Sequence, residues 1–231
     1  MWIAACAVIL TAAPAAAIVG AGREGGPGAA QTVMVLRRGG AFCSGVAVSP
    51  RAVLTAAHCV GAAADMRVFL RGADGAPSML DVARVARHPG FRPDAAAARA
   101  RSVDLALVEL RDDLPAGVAP ATPGPGPIAA GSPVTVAGFG LAREGEPKSG
   151  GVYREAEATL RAPVSNLLLW LDGRGAGACV GNSGGPVFDG GGRLVGIVAF
   201  AQGAGAKRCG ALTQAVRVSP FWGWVEEQLR R

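Results

Sequence analysis

The sequence predicts an all-β fold in two halves, closed by one C-terminal α-helix. Three observations carry this. Short apolar runs alternate with turn residues along most of the chain, the pattern of barrels or sandwiches. Its 231 residues include 35 glycines and 16 prolines, so turns are frequent and long helices scarce. A Pro/Gly-rich stretch over 119–133 holds Pro120, Pro123, Pro125, Pro127 and Pro133 near the middle of the chain. Proline cannot donate to a central ladder, so this stretch reads as a linker.

The elements follow in order. In the first half, apolar runs at 32–36, 45–48, 66–70, 82–85 and 103–110 read as strands. In the second, runs at 134–138, 154–160, 167–171 and 194–200 do the same. Asp189-Gly190-Gly191-Gly192 falls between Phe188 and Leu194 and predicts a hairpin turn, because glycine permits positive φ. At the C-terminus, Ser219 suits a helix cap and Pro220 the first helical position. Glu226 and Arg230 stand four apart as a stabilising pair, and Trp222, Trp224, Val225 and Leu229 offer a packing face.

Composition narrows the function classes. Half the residues are hydrophobic and only 17% are charged, which excludes a wholly disordered chain. The net charge of +6 comes almost entirely from arginine, since Lys148 and Lys207 are the only lysines. No run of like charges is longer than a pair such as Arg37-Arg38, and no aromatic residues interleave with them. This gives solubility and weak attraction to anionic surfaces, with no nucleic-acid footprint. Residues 1–17 carry no charge, include an apolar run from Trp2 to Leu10 and end Ala15-Ala16-Ala17, the pattern of a cleaved signal peptide. The five cysteines fit export: Cys6 leaves with that segment, and Cys43, Cys59, Cys179 and Cys209 remain, with three possible pairings. A zinc site from Cys43, His58 and Cys59 lacks a fourth ligand and the usual spacing, so no metal or other cofactor is called for.

The chemistry-bearing residues are concentrated in three segments. Gly181-Asn182-Ser183-Gly184-Gly185-Pro186 places a serine among glycines. A hydroxyl is a weak nucleophile until a base takes its proton, and the chain has only two histidines. His58 lies in Leu54-Thr55-Ala56-Ala57-His58-Cys59, and Asp104 opens the apolar segment Asp104–Leu110. His88, in the turn Arg87-His88-Pro89-Gly90-Phe91, reads as a surface turn residue and not as a second base. Each feature alone is ordinary: a serine between glycines is usually a turn, and an aspartate before a strand is usually a solvated end. Together, in the order His, Asp, Ser, they resemble the trypsin-like (chymotrypsin-fold, S1-type) serine proteases, and we read a bacterial type.

The resemblance covers nearly all of the chain from Ile18 to the terminal helix. It implies two antiparallel β-barrels of the chymotrypsin type with a C-terminal α-helix docked on the second. His58 and Asp104 would sit in a first barrel over 18–122, and Ser183 in a second over 123–231, as one peptidase domain. It selects the disulfides Cys43–Cys59 and Cys179–Cys209. It assigns His58, Asp104 and Ser183 to catalysis and the backbone N–H groups of Gly181 and Ser183 to an oxyanion hole. It places Gly177 at the floor of the specificity pocket, Ala199, Phe200 and Ala201 along its wall and Gly210 opposite. Gly177 carries no charge, so the pocket is expected to take a small or medium apolar side chain. The expected protein is an exported, monomeric endopeptidase, secreted or periplasmic, with a protein or peptide substrate and no stable membrane association after signal cleavage. The alternatives are a silent binding protein on the same scaffold, or an esterase or peptidase of small substrates.

Two positions depart from or bear on the pattern. Ile18-Val19-Gly20-Ala21 resembles the family's mature N-terminus, whose ammonium pairs with an aspartate beside the nucleophile. Here that position is the neutral Asn182. Either the ammonium still inserts against the amide oxygen, or the oxyanion hole is built without it.

Overall fold

The computed structural model describes residues 18–20, 22–72, 75–98, 100–162 and 165–231. The segment 1–17 expected to be a signal peptide, Cys6 included, lies outside the described residues, as does Ala21.

The first described strand joins the second barrel, ahead of the residues that build the first. Strand β1 (Arg23–Glu24) pairs antiparallel with a strand far along the sequence, setting Arg23 opposite Glu155 and Glu24 opposite Arg154. Opposite charges across a ladder reinforce that pairing. The Glu155 side chain is 1% exposed and accepts hydrogen bonds from the Gly28 N–H and the Tyr153 hydroxyl. Burial and the hydrogen bond to Glu155 push the Tyr153 phenol far above its usual range, so it stays a donor.

Six strands then close the first barrel: β2 (Thr32–Arg37), β3 (Ala41–Ser49), β4 (Ala52–Thr55), β5 (Met66–Arg71), β6 (Pro77–Arg87) and β7 (Ala106–Leu110). Alternation drives β5, where Met66, Val68 and Leu70 point inward. All four residues of β4 are buried, so it shows no alternation, and the sequence pattern merged it into the histidine segment. The predicted strand over 103–110 begins only at Ala106, leaving Asp104 in the lead-in to β7.

The second barrel holds β8 (Pro133–Gly138), β9 (Arg154–Arg161), β10 (Leu168–Asp172), β11 (Pro186–Asp189), β12 (Leu194–Gly203) and β13 (Gly210–Arg217). It closes because β8 pairs with both β9 and β11. The predicted hairpin lies between β11 and β12, with Gly192 at φ 74°. The Asp189 carboxylate accepts from the Gly191 and Arg193 N–H groups and pairs with the Arg193 guanidinium.

Residues 119–132 of the Pro/Gly stretch lie in no named strand, yet they are not slack. The Ala121 N–H donates to Ala47 O on the first barrel. Thr122 O and the Gly124 N–H bond the two backbone groups of Leu194 on the second.

The two helices among the described residues are α1 (Ala95–Ala98) and α2 (Trp222–Leu229). The C-terminal helix departs from expectation in four respects. Ser219 and Pro220 form a 3-10 turn ahead of α2, and Phe221 occupies the cap position without a side-chain hydrogen bond. The ion pair is Glu227–Arg231 at 2.6 Å, not Glu226 with Arg230. Leu229 is exposed, and Gln228 takes its inward place. The helix also docks on both barrels: Val225 is fully buried between them, and Arg84 of β6 donates to the Gln228 carbonyl and side chain. The buried cluster around Val225 is the seam itself. It joins Leu54 and Leu107 of the first barrel to Phe188, Ile197 and Val216 of the second. Burying a side chain the size of Val225 contributes about 2 kcal/mol.

His88 is likewise no plain surface residue. Its ring meets Phe221 and Trp224 edge-on at 5.1 and 5.0 Å, and its Nδ1 accepts the Gly90 N–H. Burial holds its pKa below the usual histidine value.

Candidate active site

His58 sits on a 3-10 turn, Ala57–Cys59, directly after β4. Asp104 lies two residues before β7, the strand that pairs with β4 with Thr55 opposite Ala106. The pairing therefore sets the two side chains side by side. His58 Nδ1 lies 2.6 Å from Asp104 Oδ2, and the His58 backbone N–H donates to Asp104 Oδ1 at 2.9 Å. Both carboxylate oxygens are used, so the ring is fixed in place. A carboxylate only accepts, so Nδ1 carries the hydrogen and Nε2 is left as the basic nitrogen. The Asp104 side chain is 15% exposed and that of His58 41%, so the carboxylate is sheltered while the imidazole faces the cleft. The disulfide Cys43–Cys59 ties this turn to β3.

Ser183 arrives from the other barrel. Its carbonyl accepts the Ser44 N–H at 2.8 Å. Ser44 Oγ donates to Gly181 O and accepts the Phe139 N–H, and Thr55 Oγ1 donates to Ser44 O. Gly184 is what permits this approach: it has φ +79°, and a Cβ there would lie 2.0 Å from Thr55 Oγ1. Gly181 also has positive φ, and a Cβ on it would lie 2.3 Å from Phe42. Among the described residues no hydrogen bond occupies the N–H of Gly181 or of Ser183. The serine loop is thus seated against the histidine's own strand. No described hydrogen bond joins Ser183 Oγ to His58, whose Nε2 faces Cys59 Sγ at 3.7 Å. Such bonds are often long without substrate.

Asn182 is fully buried. Its Oδ1 accepts the Cys179 N–H at 3.0 Å, and its Nδ2 has no described partner. Ile18 is also fully buried, and Val19 forms a bridge with Gly177, whose N–H donates to Val19 O.

Gly177 and Gly210 lie against each other: a Cβ on Gly177 would be 3.1 Å from Gly210 Cα and 3.3 Å from Thr213 Oγ1. Thr213 stands opposite Ala201 in the β12–β13 ladder, and its hydroxyl accepts the Ala178 N–H. Phe200 is 55% exposed, with Ala199 and Ala201 half-buried beside it. The disulfide Cys179–Cys209 closes this region. Sequence reasoning missed Phe42, Ser44, Thr213 and Val180. Phe42 and Ser44 flank Cys43, but only the fold brings them to the serine loop. Val180 could have been noticed as a large apolar residue beside Gly181, and it is 65% exposed.

Cys43, His58 and Cys59 also cluster tightly enough to suggest a metal. The two sulfurs are bonded to each other, so they offer no thiolates, and the residues do not fit an ion.

The site brings a glycine-rich serine loop and a carboxylate-fixed imidazole to a two-barrel junction. The chain belongs to the trypsin family of serine proteases: the family model described as Trypsin matches residues 18–225. Human Serine protease 56 is 33% identical over 244 residues, covering 92% of this chain. The chain spans only 38% of that relative's length. Human Kallikrein-15 is 28% identical and covers 86% of each chain. Among solved structures, the human heparin binding protein superposes with a TM-score of 0.77 at 24% identity, covering 93% of this chain and 97% of its own. That likeness concerns the fold. These relatives are human proteins, and they give the expected bacterial type no support.

Proposed function

We propose that this protein is an exported serine endopeptidase that cleaves peptide bonds through His58, Asp104 and Ser183. The observation that carries the reading is the two-point hold of Asp104 on His58, through the ring and through the backbone N–H. His58 Nε2 takes the Ser183 proton as Oγ attacks the scissile carbonyl. The N–H groups of Gly181 and Ser183 receive the oxyanion, each donor contributing about 3 kcal/mol in the transition state. The imidazolium then gives its proton to the leaving amine. Water, activated by the same nitrogen, hydrolyses the acyl-enzyme. Gly177 and Gly210 form an uncharged pocket floor with the Thr213 hydroxyl beside it, and Phe200 and Val180 form an apolar rim. A small or medium apolar side chain fits it. Residues 18–122 and 123–231 act as one peptidase unit, released when the leader 1–17 is removed.

The oxyanion hole here does not depend on a terminal ammonium. Asn182 Oδ1 already accepts the Cys179 N–H, and a neutral amide offers an ammonium no counter-charge. A protein carrying one extra residue before Ile18 should retain its activity, and its complete loss would show that the ammonium is required. The main test is fluorophosphonate labelling of the purified protein beside Ser183→Ala, with the labelled peptide identified by mass. Labelling confined to Ser183 supports the reading. A folded protein that takes no label would make it a silent binding protein.

A further inference from the structure

A cleft of about 560 Å³ opens between residues of the two halves, and one of its lining residues adjoins Asp104 in sequence. Its apolar wall is Val103, Leu167 and Phe221, and Arg92 and Arg101 stand on its rim. Val103 directly precedes Asp104. Ser102, which follows Arg101, is tied to the backbone of Arg92: its Oγ accepts the Arg92 N–H at 2.8 Å and donates to Arg92 O at 3.2 Å. Among the described residues, no carboxylate pairs with either guanidinium. Asp94, close by in sequence, makes no ion pair with them. A third cation lies behind the wall. Arg217 is 6% exposed, donates to Ser165 O and to Asn166 Oδ1, and has an Nε without a partner. It also lacks a carboxylate among the described residues.

Arg92 and Arg101 line one concave cleft with an apolar wall, and among the described residues no carboxylate neutralises them. We propose that this cleft docks an acidic peptide segment of the protein being cleaved, with glutamate or aspartate on Arg92 and Arg101 and an apolar neighbour against Leu167 and Phe221. A concave site with an apolar wall suits alternating acidic and apolar side chains better than a uniformly polar sulfated sugar. The identity of the occupant as substrate rests on the peptidase reading; the anion site itself does not.

Binding is measured on full-length Ser183→Ala protein, which cannot consume the probe. The probe is a fluorescein-labelled Glu-Phe-Glu-Leu peptide, read by anisotropy, with Gln-Phe-Gln-Leu as control and a sulfated dodecasaccharide as competitor. The glutamate peptide should bind about tenfold more tightly than the glutamine peptide, less so as salt rises. R92Q/R101Q added to the Ser183→Ala protein should remove that preference, and R92Q/R101Q with Ser183 intact should cleave a short neutral ester as the parent does. Equal binding of the two peptides, an unchanged preference in the double variant, or binding of the sulfated sugar alone would each overturn the proposal. Fluorophosphonate labelling separates the two readings. A labelled Ser183 without glutamate-dependent binding sinks the docking site alone, and glutamate-dependent binding without labelling sinks the peptidase reading.

Discussion

Asp104 does two jobs at the scale of a residue: it orients the imidazole and sets which nitrogen carries the proton. Asp104→Asn keeps the shape but can donate to Nδ1, which favours the wrong tautomer. It should lower kcat/KM for a peptide substrate by about 10⁴-fold while leaving Tm nearly unchanged. A fall of less than tenfold would mean that this pair does not drive the chemistry. Asn182 poses a different question, because its amide oxygen satisfies a buried N–H beside the serine. Asn182→Ala should cost about 2 kcal/mol in urea unfolding, the penalty of an orphaned buried donor. It should also lower kcat more than it raises KM. The three residues proposed for the chemistry were legible in the sequence because chemistry restricts residue type: only an imidazole, a carboxylate and a hydroxyl will serve. Ser44 and Thr213 were not legible. A serine or threonine in a strand is common, and only tertiary contact gives either of them a partner.

At the scale of an element, α2 and its 3-10 lead-in hold His88 in an aromatic niche. Burial lowers the His88 pKa, so the folded protein binds this proton less readily than the unfolded chain. Stability from this group is therefore intact at higher pH and declines as pH falls below the ordinary value of 6.5 toward the lowered folded value. Urea unfolding at pH 7.5 and 5.5 should show that decline in the parent and a smaller one in His88→Gln, which keeps an acceptor for Gly90. Equal declines would place the titration elsewhere. Most strands were readable from apolar runs, but β1, β4, β13 and the start of β7 were not. Fully buried strands lose their alternation, and glycine-led ones lose their signal. The terminal helix was readable as a helix, but its cap, its ion pair and its docking on both barrels were not, because the seam it fills has no counterpart in local sequence.

At the scale of the whole molecule, the two disulfides brace opposite sides of one cleft. Cys43–Cys59 fixes the histidine turn, and Cys179–Cys209 fixes the serine loop against the pocket wall. Removing the second by Cys179→Ala with Cys209→Ala should cost about 3 kcal/mol. Thermal unfolding should then begin earlier, and activity should fall more steeply on a peptide than on a small ester, because the wall orients the longer substrate. If both substrates suffer equally, the bridge serves stability alone. The two-barrel division was legible from the Pro/Gly stretch, but its character was not: hydrogen bonds through Ala121, Thr122 and Gly124 lash it to both barrels.

The position of Ser44 has a consequence for exchange between relatives. It belongs to the first barrel, yet it holds the carbonyls of Gly181 and Ser183, while Thr55 in turn holds its own carbonyl. The nucleophile's loop is therefore cast against a surface encoded more than a hundred residues earlier. A chimera that takes its second half from another member of the family would inherit the serine without the mould that shapes it. The unit of inheritance for this site is the pair of barrels.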